Sequence, residues 1–545
     1  MIALFIIAGI TALSAGAQTL HYSIDFQFAQ EKDQRPGFPQ VPKLTKRVLL
    51  PYGTEIATVR FKEKDGARRN GHFDFPITPH PRPLCDADLG TITNHTFGVG
   101  ERYPASSLGE AQIIEKHGFR IAYVSLFPVQ YFPATNDGTT SLGGELEIEL
   151  KDSIQTLYRG TSSDREEALA LADETDEIDT YPVKDAVNDV QYLVIAPQAL
   201  VKNPTTSGLS GFLTEKYSRG ISSEVLTIET INSQFTGSTT QQRMRNAIRS
   251  YYQNHGLKYV LLIGNGFSSA PSKTLSTSVG SVLADYYYAC LDGEFTGGVE
   301  DKACEVAVGR FPASNETELQ TLIQKTSLLA NIDARDTRVG NTLVFGEKLD
   351  SITYGSTLVE QLVTGGHAGS VPTEGFPTAS TVTKLYETSS KTYTASEVLA
   401  TLNAGEFYTV NHMGHANQTY CMRFNMSSIP NLKNSLPFFG MTQGCHPGDL
   451  SASNWASKLM TQKAGGAGAM IANSGYGWYS PGSNDGPSNR HHLMFYDVVF
   501  REGLREIGKV HYRAKERLTP DMNSYIRYVI YETNLLADPE LRLKF

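Results

Sequence analysis

The residues best suited to do chemistry are histidines and a cysteine that follow two predicted strands. Phe407–Val410 leads into Asn411-His-Met-Gly-His-Ala-Asn417, and Pro437–Met441 leads into Thr442-Gln-Gly-Cys-His-Pro-Gly448. If these strands are neighbours in a parallel sheet, their carboxyl ends bring a histidine and Cys445 to one edge. A nearby imidazole favours the reactive thiolate of a cysteine, whose reference pKa is about 8.5. The pattern predicts a nucleophile and its general base.

Backbone N–H groups beside these side chains meet a second need of acyl transfer. Those of Ala416 and Cys445 could stabilise an oxyanion, a contribution commonly worth about 3–4 kcal/mol per donor. Two other interpretations of the same residues stay open. Cys445 could be a buried, inert thiol, which would favour a catalytically silent binding or secretion-associated protein. His412, His415, Cys421 and Cys445 could instead ligate zinc in a metal-dependent hydrolase, although no CxxC or HExxH motif accompanies them.

The elements that must position these residues alternate between apolar strands and amphipathic helices from Tyr192 onward. This alternation over about 350 residues predicts an α/β domain with a mainly parallel sheet flanked by helices. The predicted helices include Thr240–Asn254 and Glu316–Leu329, the latter capped by Ser314 or Asn315. The predicted strands are Tyr192–Ala196, Tyr259–Gly264, Thr342–Gly346, Phe407–Val410, Pro437–Met441 and Ala467–Asn473.

The amino-terminal part of the chain has a different pattern. Residues 1–17 form an apolar run that ends in Ala15-Gly16-Ala17, which predicts a signal peptide and export. Residues 18–165 carry short apolar runs broken by Pro and Gly, and Glu145–Leu150 alternates strictly, as in a half-buried strand. We expect a β-sandwich there. Residues 166–182 are rich in Asp and Glu and predict an exposed linker, followed by the α/β domain at 183–545.

Composition excludes some classes of function. The chain has 545 residues and a net charge of −9 without a Lys and Arg run, so nucleic acid is not an expected partner. Its five cysteines are too few for a disulfide scaffold, and the odd count leaves at least one thiol unpaired in an exported protein. A free thiol outside the cell is consistent with a catalytic cysteine.

The segment from Phe407 to Cys445 resembles the catalytic segment of the gingipain family of cysteine peptidases, which belongs to the caspase-like clan. Gly414-His415 and Cys445 match the Gly-His pair and the Cys that end successive strands in that family. The match favours His415 over His412 as the base. Ala416 departs from the Gly found after the His in gingipains. Further similar segments are Val308-Gly-Arg-Phe-Pro-Ala313 and Asn534-Leu-Leu-Ala-Asp-Pro-Glu540.

The resemblance implies roles for other residues. Glu347, at the end of the strand before the histidine strand, is the expected acid that orients His415, with Asp350 as its alternative. Trp478 corresponds to a tryptophan of the substrate pocket in arginine-selective gingipains. The acid that pairs with a basic substrate side chain in those enzymes has no counterpart from Ser351 to Val359, so Arg or Lys specificity does not carry over.

The resemblance also implies a caspase-like fold, made as a zymogen whose β-sandwich is a pro-segment and whose linker is the maturation region. The expected protein is a secreted cysteine endopeptidase that hydrolyses protein or peptide substrates through a Cys445 thioester. Its own pro-segment would be its inhibitor. The chemistry requires no cofactor. Structural calcium is implied near Asp285 and Asp292, which are equally consistent with surface turns.

Overall fold

The computed structural model describes residues 18–66, 68–85, 92–155, 157–295 and 301–545, so the predicted signal peptide lies outside the described residues. Among the described residues, the amino-terminal elements are mostly strands, with one α-helix, α1 (Ser162–Leu169). The strands are β1 (Thr19–Asp25), β2 (Glu31–Lys32), β3 (Pro42–Leu49), β4 (Thr54–Glu63), β5 (Arg69–His72), β6 (Arg82–Pro83), β7 (Leu108–Lys116), β8 (Phe119–Leu126), β9 (Val129–Phe132), β10 (Asp137–Thr140) and β11 (Gly143–Asp152).

The remaining chain alternates strands and helices. Its strands are β12 (Tyr192–Ala196), β13 (Ser223–Thr227), β14 (Tyr259–Ile263), β15 (Lys273–Thr277), β16 (Gly280–Ala284), β17 (Ala307–Phe311), β18 (Asn341–Gly346), β19 (Gly366–Ala368), β20 (Val371–Thr373), β21 (Thr381–Tyr386), β22 (Thr409–Met413), β23 (Tyr420–Cys421), β24 (Phe424–Asn425), β25 (Phe438–Thr442), β26 (Ala467–Asn473), β27 (Trp478–Tyr479) and β28 (Thr533–Leu536). Its helices are α2 (Gln198–Val201), α3 (Leu209–Ser218), α4 (Ile228–Gln234), α5 (Thr240–His255), α6 (Tyr286–Ala289), α7 (Glu316–Ala330), α8 (Gly355–Thr364), α9 (Ala395–Ala404), α10 (Trp455–Thr461), α11 (Pro487–Phe500), α12 (Ile507–Glu516) and α13 (Ser524–Glu532). Within the described residues, no helix is long and apolar enough to cross a bilayer.

The chain divides into two compact units. The first comprises residues up to Gln30, Pro42–Asp74 and Phe97–Lys184. The second comprises Glu31–Val41, Phe75–Thr96 and Asp185–Phe545, so two amino-terminal segments belong with the α/β part. The predicted start of the α/β domain at 183 lies close to the observed boundary at Asp185, but residues 166–182 belong with the first unit. The two amino-terminal segments of the second unit were not predicted, because apolar periodicity does not reveal where a strand-rich segment packs. The assignment of the boundaries at 165 and 182 to processing steps stays a prediction.

The first unit contains facing antiparallel sheets. β11 pairs with β1 and β4, and β8 pairs with β3 and β7. Leu146 and Ile148 of β11 share one apolar core with Ala122 and Val124 of β8. The alternation in β11 has its physical cause here, because every second side chain faces this core. The predicted strand-rich amino-terminal region is confirmed.

The second unit contains two sheets of largely buried strands. One has the order β13-β12-β14-β17 and is parallel. The other has the order β21-β18-β22-β25-β26-β28, with only β28 antiparallel to its neighbour. The two sheets adjoin where Gly309 of β17 meets the backbone at Ala537, since a Cβ on Gly309 would lie 2.3 Å from the Ala537 carbonyl oxygen. The predicted α/β architecture with a mainly parallel sheet is confirmed.

Candidate active site

The site lies at the carboxyl ends of β22 and β25. These strands are parallel neighbours, with His412 opposite Thr442 in register. Beyond the strand ends, a Cβ on Gly444 would lie 2.4 Å from Ala416 Cβ and 3.0 Å from the Gly414 carbonyl oxygen. The segments that carry His415 and Cys445 are therefore in direct backbone contact, as the strand-end argument requires.

Cys445 is fully buried. Its thiol faces the Gly477 carbonyl oxygen at 3.7 Å. Burial, followed by a hydrogen bond with the Cys85 thiol, raises its pKa well above the ordinary value, so the thiol is protonated at neutral pH. The His415 ring is half-buried, and no hydrogen bond joins it to the Cys445 sulfur among the described residues. The predicted nucleophile is thus held as a protonated thiol.

Glu347 makes a different contact from the one expected. Its Oε1 lies 3.1 Å from His412 Nε2, and its Oε2 accepts the backbone N–H of His415 at 3.2 Å. The strand register explains this, because Phe345 pairs with His412 and places the next carboxylate beside that buried ring. His415 lies two residues past the strand end, and only its backbone reaches Glu347. The expected contact with the His415 imidazole is therefore corrected to a contact with its N–H.

His412 forms the centre of a buried polar group. Its Nδ1 lies 2.8 Å from the Thr442 hydroxyl and 3.6 Å from the Cys421 sulfur. Burial lowers its pKa, but the Cys421 sulfur and the Glu347 carboxylate outweigh burial and raise the pKa to about 10. His412 is therefore the positively charged partner of Glu347. Sequence reasoning missed this pair, and the only signal for it was the position of His412 inside a buried strand.

Gly414 is required by the close packing of this group. A Cβ at Gly414 would lie 2.5 Å from the Glu347 carboxyl carbon and 2.6 Å from His412 Nε2. Real Cβ atoms essentially never approach so closely, so any larger residue would push the acid away from the ring. The Gly in the Gly-His pair thus lets the backbone before His415 pass over the Glu347–His412 pair.

An amino-terminal strand lies across the site. β6 pairs antiparallel with β27, with Pro83 opposite Trp478 and Arg82 opposite Tyr479. The pairing continues because the Leu84 N–H donates to the Gly477 carbonyl at 2.8 Å. The Leu84 carbonyl accepts the N–H of Ala416, one of the two predicted oxyanion donors, at 3.4 Å. The other donor, the N–H of Cys445, has no hydrogen bond within the described part of the chain. Sequence reasoning missed this strand, for which the unexplained Cys85 was the only signal.

The predicted pocket tryptophan lies in β27. Trp478 is buried, and its ring packs edge-on against the rings of Tyr525 and Tyr528. The ring centroids lie 4.9 Å apart for Tyr525 and 5.8 Å apart for Tyr528. Among the described residues, Asp350, the alternative acid, has no hydrogen bond to His412 or His415. It accepts the backbone N–H groups of Ile352 and Thr353 and lies 3.0 Å from the Tyr479 hydroxyl. Asp350 therefore holds β27, the strand of Trp478 and Tyr479, through the Tyr479 hydroxyl.

The predicted calcium ligands have separate environments. Asp285 is buried in an ion pair with Arg310, whose Nε and Nη2 both lie 2.7 Å from its oxygens. That pairing neutralises the carboxylate, so Asp285 does not fit a calcium site. Asp292 is grouped with Asp301 and Glu305, with ligand oxygens within 4.8 Å of one another. Calcium at this group stays a prediction.

The zinc interpretation finds no support in the geometry. Among the residues with described positions, Asp292, Asp301 and Glu305 are the one group whose ligand atoms could meet around an ion. His412 is already bonded through both ring nitrogens, to Thr442 and Glu347. The two histidines and two cysteines therefore do not converge on a common point.

Comparison with known proteins identifies the family. The family model described as Peptidase family C25 matches residues 185–544, well over half of the chain. The chain belongs to peptidase family C25. The predicted gingipain relationship is thereby confirmed, and the chain is a cysteine-type peptidase. No curated protein sequence gives a significant match.

Solved structures resemble this C25 peptidase in fold. The Arg-specific cysteine proteinase gingipain R has 21% identity and a TM-score of 0.50, over 66% of this chain and 80% of that chain. A structure titled "Structure of Protease" has 15% identity and a TM-score of 0.51, over 65% and 78%. The complex of the pro- and mature domains of RgpB from Porphyromonas gingivalis has 19% identity and a TM-score of 0.49, over 65% and 79%. The first two likenesses support the predicted caspase-like fold.

Proposed function

We propose that this C25 peptidase is an exported zymogen that hydrolyses peptide bonds through a Cys445 thioester, with His415 as general base. The observation that carries the proposal is the backbone contact between the two strand ends that bear these residues. His415 directly precedes Ala416 in one of these segments, and Cys445 directly follows Gly444 in the other. Acyl transfer by a thiol needs this neighbourhood of nucleophile and base.

The proposed reaction has two stages, acylation of Cys445 and hydrolysis of the thioester. His415 takes the proton of Cys445, and the sulfur attacks the substrate carbonyl carbon. The N–H groups of Ala416 and Cys445 bind the resulting oxyanion. Collapse breaks the C–N bond as His415 returns the proton to the leaving amine, which leaves the thioester. Water, deprotonated by His415, then hydrolyses the thioester and regenerates the thiol.

Glu347 acts on this machinery through the backbone. Its carboxylate holds the N–H of His415 at 3.2 Å and is itself fixed by the buried His412. Arg423 lies 3.8 Å from the same carboxylate and also forms an ion pair with Glu387. Glu347 is therefore a positioning residue, which sets the direction of the chain at His415.

Latency is supported by the amino-terminal strand. Residues Arg82 to Leu84 occupy the edge of β27 and use the N–H of Ala416, which a substrate carbonyl would need. Cys85 contacts the nucleophile and, with burial, raises the pKa of Cys445. A substrate can reach Cys445 only after this segment leaves. We therefore propose that the amino-terminal region is an inhibitory pro-segment and that cutting near residues 166–182 accompanies activation.

Export is proposed from residues 1–17, whose apolar run ends in a small-residue motif suited to signal peptidase. The test is the amino-terminal sequence of the protein recovered from a secreting host. A start near Gln18 is expected, and an intact Met1 would contradict cleavage.

A catalytically silent protein on the same fold is the second candidate. The full burial of Cys445 and its lack of a hydrogen bond to the His415 ring among described residues favour it. The two candidates differ in turnover of a protein substrate such as casein after limited proteolysis of the full chain. Activity that disappears in both Cys445→Ala and His415→Ala supports the peptidase. The matched control is Cys290→Ala, which removes another fully buried thiol outside the site and should keep activity. Activity that never appears would favour the second candidate, whereas activity that persists in Cys445→Ala would contradict Cys445 as the nucleophile.

A further inference from the structure

The strand that covers the site lies there as a substrate would. It runs antiparallel to β27, and the Leu84 N–H donates to the Gly477 carbonyl. The Leu84 carbonyl receives an oxyanion donor, the N–H of Ala416. The following residue, Cys85, contacts the Cys445 thiol. Leu84 therefore occupies the place of the residue whose carbonyl is attacked, and its side chain is fully buried there.

The environment of this position is apolar. Leu84 is fully buried, while the neighbouring Arg82 and Cys85 are partly exposed. The backbone of the segment Gly475–Trp478 binds Leu84, and aromatic rings cluster around this segment. The ring centroid of Trp478 lies 6.0 Å from that of Tyr476 and 5.8 Å from that of Tyr528. Such a wall suits an aliphatic side chain.

The nearby acids are unsuited to pair with a basic substrate. Asp350 is engaged by two backbone N–H groups and the Tyr479 hydroxyl. Glu347 is engaged by His412 and the backbone of His415. Glu532, which acts electrostatically on Cys445, is fully buried at the end of α13, and burial disfavours its charged form by raising its pKa well above the ordinary value. A buried cation without a charged partner is unfavourable.

We propose that this peptidase cleaves after large aliphatic residues, leucine first, and that Leu84 mimics that residue in the latent chain. The proposal rests on the proposed thiol-peptidase function and adds its substrate class. It also gives Leu84 a specific part in latency, because a side chain that fits the pocket holds the covering strand in place.

The first test uses two acyloxymethyl ketone probes on the full chain, Ac-Arg-Pro-Leu and Ac-Arg-Pro-Arg. Both must displace the same strand to alkylate Cys445, so the ratio of their rates reports the pocket alone. The leucine probe should label Cys445 faster by roughly 10- to 100-fold, the discrimination that an apolar pocket provides. Equal rates or faster labelling by the arginine probe would overturn the specificity and leave the peptidase function standing. Labelling by neither probe, even in Leu84→Asp, would overturn both.

The second test changes the strand. Leu84→Arg should loosen the strand and raise the labelling rate by the leucine probe about tenfold or more, because the pocket disfavours the cation. Leu84→Met, which conserves volume and apolar character, should label like the wild type. Gly211→Ala, outside the covering strand and with open space for its Cβ, is the control and should label like the wild type. Thermal unfolding of every variant checks the fold. Slower labelling of Leu84→Arg than of the wild type would show a pocket for basic residues and overturn the proposal.

Discussion

Replacement of Gly414 by alanine tests how the backbone at His415 is positioned. The added Cβ would lie 2.5 Å from the Glu347 carboxyl carbon, against an ordinary contact of at least 3.4 Å. The carboxylate must retreat by about 1 Å, which stretches the 3.1 Å bond to His412 beyond hydrogen-bonding distance. Both backbone and side-chain contacts of Glu347 are then disturbed together.

The expected cost is the sum of two effects. Overpacking of a close-packed site costs about 1–3 kcal/mol. A lost hydrogen bond to a charged group costs about 1.5–3 kcal/mol. Gly414→Ala should therefore destabilise the fold by about 2.5–6 kcal/mol, which proteins over most of the ordinary range of about 5–15 kcal/mol survive. If about 3 kcal/mol of this is felt at the His415 backbone during reaction, kcat/KM falls by roughly 100-fold.

The assay combines urea denaturation with kcat/KM for a fluorogenic peptide after activation. The matched control is Gly211→Ala in α3, where an added Cβ meets nothing within 4 Å. That change should stabilise the helix by about 0.5–1 kcal/mol and leave kcat/KM unchanged. Wild-type stability and turnover in Gly414→Ala would refute the close packing of Gly414 on the Glu347–His412 pair.

The remaining predictions concern the two histidines and one buried ion pair. His415→Ala should abolish hydrolysis with little loss of stability. His412→Ala should destabilise by about 3–5 kcal/mol, because it removes the hydrogen-bonded partner of buried Glu347 and leaves only Arg423, at 3.8 Å. Equal effects of the two changes in both assays would contradict these roles. Because the folded pKa of His412 is about 10 and its unfolded value 6.5, its stabilisation is complete below pH 6.5 and is lost as pH rises to 10. Urea midpoints should therefore fall more steeply over that range in the wild type than in His412→Gln, and parallel profiles would count against the charged pair. Asp285→Ala should destabilise by about 3–5 kcal/mol through the unpaired Arg310, equally with calcium and with EGTA; a chelator-dependent loss would favour a metal role.

Much of the α/β fold could be predicted because strand and helix patterns are local. The predicted strands Tyr192–Ala196 and Ala467–Asn473 have the same bounds in the structure. The predicted helix at Glu316–Leu329 ends one residue later, and Asn315 caps it by accepting the N–H of Glu318. Continuous apolar runs and a capping side chain specify these elements without tertiary information.

The site was predictable only as far as strand ends determine it. The sequence placed His415 and Cys445 at neighbouring strand ends, but it did not reveal that Glu347 binds His412. That choice depends on strand register, which pairs Phe345 with His412. The position of Leu84 was also hidden, because β6 has only two residues and forms its pairs with β27 almost 400 positions away. Short strands paired at long range leave no periodic signal.

The most direct test of the account is to locate the acyl group on the enzyme. A slowly deacylating ester substrate is added to the activated wild-type protein, the reaction is stopped with acid, and peptides are analysed by mass spectrometry. The account predicts one thioester on Cys445, absent from His415→Ala and retained in Cys290→Ala. An acyl group on another residue, or hydrolysis by Cys445→Ala at the wild-type rate, would contradict Cys445 as the nucleophile.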